Sequence, residues 1–231
     1  MIKLEVISTC VQDAIDAEQF GANRIELVTG IKEGGVTPSF GTIRQVMQHV
    51  TIPVHVMIRP HSRSFCYSET DVETMIEDIK MVKDLGAQGV VFGALTNQKE
   101  IDVKILERLI SVSGSLQITF HRAFDETNDM SEALRIIKQY RSITRILTSG
   151  GRNSVLDGKE RVQELVKQTI DTHLTILAGS GLTIETVKEF IANTGVQEVH
   201  FGSGVRCNGQ SLEQIEKKKM SLLLKQLQDL S

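Results

Sequence analysis

The 231-residue chain has no tryptophan, only two tyrosines, three prolines and three cysteines, and its 26 basic and 29 acidic residues leave a formal charge of −3. Each scarcity excludes something. Cys10, Cys66 and Cys207 are odd in number and far apart with no C-x-x-C pair, which argues against a disulfide framework or a zinc knuckle and for reduced thiols in a cytoplasmic protein. The near-balanced charge lacks the basic footprint of a nucleic-acid binder. No apolar run approaches the roughly 18 residues of a membrane span, and the opening MIKLEVIS has no basic segment ahead of an apolar one, so neither a membrane partner nor an export signal is expected. With so little proline and no Ser-rich linker, nothing divides the chain. At 40% hydrophobic and 24% charged residues it is long enough to bury a core without disulfides or a structural metal.

What is present is a repeating unit. Eight short β-branched runs, Ile2 to Ile7, Arg24 to Val28, Val54 to Ile58, Gly89 to Phe92, Gln117 to Phe120, Arg145 to Leu147, Leu174 to Leu177 and Glu198 to Phe201, are each followed by a segment of helical period. Those segments cover 11–20, 40–49, 69–85, 102–112, 130–140, 159–170, 184–193 and 211–229. The last presents Leu212, Ile215, Leu223, Leu227 and Leu230 as its buried face. The joins GANRIEL, GAQGVVF and GVQEVHF each place Gly where a helix must end, and glycine there adopts the left-handed conformation without strain. Strand and helix alternating throughout imply parallel strands with helical crossovers. Eight units in 231 residues predict an α/β fold of TIM type, a compact (β/α)8 barrel with few insertions, spanning 1–231 as a single domain. An open doubly wound sheet is the alternative, but EVISTC lacks the G-x-G-x-x-G turn that usually follows its first strand.

In a barrel the chemistry sits at the C-terminal ends of the strands. The period of two turns Glu5 and Glu26 inward from LEVI and IELV, and likewise Met57 and Arg59 from VHVMIRP, and Thr119 and His121 from TFHRAFD. A buried carboxylate needs a cation, and Arg59 is the expected partner, so Glu5, Glu26, Arg59 and His121 are predicted to converge at the upper end of the barrel. Asp125 follows as a base or as the cap of the next helix. The seventh and eighth strands end in AGSGLT and FGSGVR, where small residues let backbone N–H groups reach an anion. Gly179, Ser180, Gly181, Gly202, Ser203 and Gly204 are the predicted anion site, unless they only make tight turns. Arg63 and Arg152, in the third and sixth loops, are further candidates to cover an anion. For a soft metal, Met57 and Cys66 are the close sulfur pair expected near the mouth.

The motifs LEV, GANRIEL, GGVTPSFG, VHVMIRP, FCYS, GVVFGAL, TFHRAFD and RILTSG, in this order, closely resemble the CutC family, named for copper homeostasis, over nearly the whole chain up to residue 204. The resemblance implies a TIM-type barrel, a cytoplasmic protein, a homodimer or larger homo-oligomer, and a role in copper tolerance or Cu(I) binding. Members of that family often carry cysteine directly after LEV and after IEL, and those thiols are the proposed Cu(I) ligands. Here the positions are Ile7 and Val28, so a copper site would have to centre on Cys66, with Met57 or His121. Two readings follow. One is a Cu(I)-handling protein. The other is an enzyme of isomerase or lyase type acting on a small anionic or phosphorylated metabolite, with Arg59 and the two G-S-G loops holding the anion and His121 or Glu26 moving a proton next to a carbonyl.

Overall fold

The computed structural model describes residues 2–230. Strands β1 (Lys3–Ser8), β2 (Arg24–Leu27), β3 (Val54–Met57), β4 (Gly89–Phe92), β5 (Gln117–Phe120), β6 (Ile143–Thr148), β7 (Thr175–Ala178) and β8 (Glu198–Phe201) pair in parallel, each with the next. Pairing of β1 with β8, Lys3 opposite Glu198 and Val6 opposite Phe201, closes the barrel. Helices α1 (Val11–Gln19), α2 (Phe40–His49), α3 (Glu69–Asp84), α4 (Val103–Ser113), α5 (Met130–Ile137), α6 (Lys159–Thr169), α7 (Val187–Thr194) and α8 (Lys217–Gln228) follow the strands in turn. This is the TIM-type (β/α)8 barrel that the repeat predicts.

The two faces of each strand do different work. Val6, Ile25, Leu27, Val56, Phe92, Phe120 and Phe201 are buried in one continuous core with the apolar faces of the helices, among them Met75, Leu109 and Leu223. The alternate positions bear Glu5, Arg24, Glu26, His55, Thr119, Arg145, Glu198 and His200, all buried inside the barrel. Above them Val28, Met57 and Val91 form a small apolar cluster of their own, with Ile7 and Ile31 against it. The barrel interior is therefore layered, charged below and aliphatic above.

Helix entrances carry the expected caps. Ser39 accepts from the Thr42 N–H, and Ser68 and Asp71 form a reciprocal capping box on α3. The glycines at 21, 86 and 195 have φ of 94°, 84° and 74° at the ends of α1, α3 and α7, the left-handed region anticipated at these joins.

The C-terminal segment departs from expectation. α8 begins at Lys217, not at 211, because Arg206 is buried and the chain curves around it. Its guanidinium donates to Asp13 Oδ1 and Oδ2 at 3.2 and 2.7 Å, to the Ile7 carbonyl at 2.9 Å and to the Glu213 carbonyl at 2.6 Å. An antiparallel bridge between Arg206 and Ile215 completes the turn. Leu212, expected on the buried face, is 63% exposed, and Ile215 is buried through the bridge and not through the helix.

At Gly89 a Cβ would stand 2.6 Å from the His55 ring and 2.8 Å from the Gln117 carbonyl, with backbone that cannot yield. Gly89→Ala is expected to cost about 1–3 kcal/mol in urea denaturation. Gly41→Ala in α2, where the nearest atom would be 3.9 Å away, should leave stability unchanged or raise it by up to about 1 kcal/mol.

Candidate functional site

The floor of the site is an ion-pair network that runs across the barrel. Arg24 donates to Glu5 and, through Nη2, to Glu198 at 2.5 Å, and Arg145 Nε meets the same Glu198 oxygen at 2.8 Å. The other oxygen of Glu5 accepts from His200 Nδ1 at 2.7 Å. His200 Nε2 then stands 3.7 Å from Glu26 Oε2, and Glu26 Oε1 is buried without a hydrogen-bond partner. Burial alone would raise Glu5, but the Arg24 charge and the His200 hydrogen bond reverse it and hold this carboxyl well below its usual range. Glu26 shares the burial without the partner, so it is pushed up to about 7 by desolvation, an effect that the His200 charge opposes and the Glu5 charge reinforces. Burial works against a charged His200, yet Glu26 and Glu5 outweigh it and raise the ring above its ordinary value.

Above this floor opens a cavity of about 300 Å³. Ile7, Val28, Met57 and Leu147 make its inner wall, around Glu26 and His200. Arg59, Phe65 and His121 make the upper wall, stacked together: the Arg59 guanidinium lies 4.5 Å from the Phe65 ring centre, which is 4.7 Å from that of His121. Arg59 donates to the carbonyls of Glu33, Gly35 and Ser62 at 3.2–3.4 Å, and its Nε has no partner. His121 Nδ1 accepts from the Ala123 N–H at 3.2 Å, which places the ring proton on Nε2, and Nε2 is buried without a partner. Burial, reinforced by the Arg59 charge, lowers this histidine to about 3, so it is a neutral donor.

Glu26, Arg59 and His121 thus line one cavity, while Glu5 lies beneath it and reaches it only through His200. The predicted pairing of Arg59 with the carboxylates is corrected: Arg59 sits beyond the end of β3, bound to loop carbonyls, and Arg24 and His200 are the partners. Asp125 is likewise corrected as a free base at the mouth. Its carboxylate takes Arg122 Nε at 2.8 Å, the Ser149 N–H at 3.0 Å and hydroxyl at 2.9 Å, the Gly151 N–H at 3.1 Å and the Thr148 hydroxyl, so it braces two loops off the cavity wall.

Ser180, Gly181, Gly202, Ser203 and Gly204 line the mouth, whereas Gly179 lies behind Leu147 and His200. A Cβ on Gly204 would stand 2.8 Å from the Leu182 carbonyl and one on Gly181 2.6 Å from Ser154 Oγ, so these glycines are required by packing between loops. Met57 faces the cavity; Cys66 is half-buried in the third loop and off its wall, as are the exposed Arg63 and Arg152. Ile7 and Val28, the positions where the CutC resemblance implies thiols, both line the cavity as aliphatic side chains. Glu5, Glu26 and His200 offer donor atoms within 4.8 Å of one another, but the oxygens of Glu5 are engaged by Arg24 and His200. Of the three, Glu26 is the carboxyl with an unengaged oxygen, and the other two are tied into the ion-pair floor. Arg24, Glu198 and His200 were missed, although the period of two that singled out Glu5 and Glu26 also turns them inward.

The buried groups set an acid dependence. Between about pH 6.5 and 4.5 the unfolded chain takes up protons at His55 and His121 that the folded chain refuses, both being lowered to about 3, whereas only the folded chain holds a proton on Glu26. These groups should cost stability by one net proton there, about 1.4 kcal/mol per pH unit, and by three below pH 4.5, where depressed Glu5 joins and Glu26 drops out. Denaturant titrations from pH 7 to 3.5 should show this steepening, and Glu26→Gln should double the slope of these groups between 6.5 and 4.5. Equal slopes in that interval would mean that Glu26 titrates as an ordinary carboxylate.

Comparison with known proteins places the chain among relatives. The CutC family model matches residues 2–205. A family protein CutC of Bacteroides fragilis is 43% identical over 200 residues, covering 86% of this chain and 79% of the relative, and one of Mesorhizobium japonicum is 40% identical over 204 residues, covering 87% and 78%. Among solved structures, a Streptococcus agalactiae protein named copper homeostasis protein CutC superimposes with a TM-score of 0.82 at 29% identity, over 87% of this chain and 98% of that one. Phosphoribosyl anthranilate isomerase of Thermococcus kodakaraensis, at a TM-score of 0.66 and 17% identity over 99% and 100% of the two chains, shares the fold. The chain belongs to the CutC family.

Proposed function

We propose that this protein is an enzyme that binds a small anionic metabolite at the barrel mouth and moves a proton at a carbon beside a carbonyl, with Glu26 as acid and base and His121 as donor to the carbonyl oxygen. One observation carries the reading. Glu26 Oε1, Arg59 Nε and His121 Nε2, from three different strands or strand ends, are all buried and unpartnered on residues lining a single cavity. Leaving a polar group buried and unpaired costs about 1–3 kcal/mol, and a ligand with complementary atoms recovers it.

The division of labour follows from the environments. His121 cannot act as the base, because its Nδ1 is engaged by the Ala123 N–H and its Nε2 already carries the proton. A neutral imidazole can still polarise a carbonyl and hold the oxyanion that develops. Glu26, held at about 7, is divided between its two protonation states near neutrality, the condition for taking a proton in one step and returning it in the next. Arg59 supplies the positive charge for the anion, helped at the rim by the N–H groups of the loops after β7 and β8. His200, anchored by Glu5, keeps Glu26 in place.

The name of the Streptococcus agalactiae neighbour suggests a second role, copper homeostasis, with Cu(I) as cargo. It has less support here. Met57 is the one sulfur on the cavity wall among the described residues, Cys66 lies off it, and the aliphatic Ile7 and Val28 offer a metal nothing.

Wild-type protein incubated in D2O with a bacterial metabolite extract should deplete or deuterate a small carboxylate or phosphate, read by mass spectrometry. The rate should rise with pH through about 7, as a base that must be ionised requires. Glu26→Gln should lower it about 10²–10⁴-fold. His121→Phe should lower it about 10²–10³-fold, and His121→Gln, which restores a donor at the same reach, by much less. Indistinguishable extracts from wild type and Glu26→Gln would end the enzyme reading.

A further inference from the structure

The chemistry of the cavity wall narrows what the site can hold, given the enzyme reading above. Glu26 opens into an aliphatic collar of Ile7, Val28, Met57 and Leu147, with Leu182 and Phe65 above. Among the described residues that line the cavity there is no Asn, Gln, Asp, Thr, Tyr or Lys. Of its three serines, Ser180 spends its hydroxyl on the Asn153 carbonyl at 2.7 Å, Ser203 is exposed at the rim, and Ser211 is half-buried in the loop that follows β8. A sugar phosphate would bury several hydroxyl groups, each needing a partner that this wall does not supply. The lining residues with a buried, unpartnered polar atom are one cation, Arg59, one neutral donor, His121, and one carboxyl, Glu26, while Arg122 and Arg206, also on the wall, are paired with Asp125 and Asp13 and His200 is held by Glu5.

We propose that the substrate is a short aliphatic 2-oxo acid, with its carboxylate on Arg59, its 2-oxo oxygen on His121 Nε2, and its hydrocarbon chain in the collar of Ile7, Val28, Met57 and Leu147. A cavity of about 300 Å³ lies at the small end of ligand pockets and suits a chain of this size. The collar also explains why Glu26 meets a C–H and not a hydroxyl: the part of the ligand that fits beside it is hydrocarbon. In the step this implies, ionised Glu26 takes a proton from C3, the C3–H pair becomes the C2–C3 double bond, and the carbonyl pair moves onto the oxygen, held as an enolate by the His121 N–H. Return of the proton from Glu26 to C3 restores the oxo acid, so the step balances without an oxidant or a second reactant.

In D2O this step exchanges C3 hydrogen for deuterium. The probe is 4-methyl-2-oxopentanoate, whose C3 methylene is followed by proton NMR at pH 8, with ribose 5-phosphate as the competing ligand class. Wild type should erase the methylene signal at least 100-fold faster than Glu26→Gln, whose fold is checked by circular dichroism. Val28→Thr, which puts a hydroxyl in the collar at constant shape, should raise KM for the oxo acid about tenfold with kcat little changed. Ribose 5-phosphate should neither slow the exchange nor raise the melting temperature. Exchange no faster than with Glu26→Gln overturns the substrate class, and so does saturation of the site by ribose 5-phosphate. The enzyme reading stands or falls separately, since deuterium appearing in another metabolite of the extract would leave it intact while this assignment failed.

Discussion

Charge inside a closed barrel has to be neutralised inside it, and the interior of this one holds three buried carboxyl groups against two buried arginines below the mouth. Glu5 and Glu198 take Arg24 and Arg145, in an arrangement in which Arg24 bridges the two acids. Glu26 is left over. Its nearest ion-pair partner among the described residues is His200, already donating its other nitrogen to Glu5 and too far, at 3.7 Å, for a hydrogen bond, while Arg24 and Glu5 act on it with opposite signs from further away. Everything distinctive about the site depends on that remainder: a carboxyl at the floor of a cavity, rimmed by an aliphatic collar and left without a full counter-charge by its neighbours. Breaking a network of this kind at Arg24 would strand two acids in the interior, so the floor is rigid where the chemistry needs a fixed base.

The mouth is rigid for a different reason. Phe65, from the third loop, packs between Arg59 and His121, and the Leu95 N–H bonds the Phe65 carbonyl at 2.8 Å, so the loop is pinned to the fourth strand end. On the opposite rim Arg206 ties the eighth loop to α1 through Asp13, and Gly204 touches the backbone of the seventh loop. Asp125 does the same for the fifth and sixth loops. The unpaired nitrogens of Arg59 and His121 therefore belong to side chains held by stacking and by hydrogen bonds, which is the preorganisation that turns a hydrogen-bond donor into a catalytic one.

Much of this was legible in the sequence, and the failures are instructive. The β-branched runs between helical segments predicted all eight strands, three of them to the residue, because an all-parallel barrel buries both faces of every strand and writes them as short, dense patterns. The period of two put Glu5, Glu26 and His121 inside correctly. It could not say at what height each side chain sits, since that depends on the stagger between strands, and so Arg59 was given to carboxylates that Arg24 and His200 serve. Asp125 and Arg206 were opaque for a related reason: a loop side chain has no period, and its partners, Ser149 and Asp13, lie far away in sequence. The end of the chain misled because Leu212 and Ile215 happen to continue the spacing of α8 across a turn that Arg206 imposes.

Membership of the CutC family identifies relatives, one of them named for copper, but the interior of this chain is organised around oxygen and nitrogen donors and a hydrocarbon collar, with Met57 as the sole cavity sulfur among the described residues. The protonation of Glu26 is the physical property on which the account turns. It can be read directly by carbon NMR of protein labelled at the glutamate side-chain carboxyl, with the Glu26 signal assigned from Glu26→Gln. An inflection near pH 7 is expected for that one carbon. An inflection below pH 5, in the range of an ordinary surface glutamate, would contradict it.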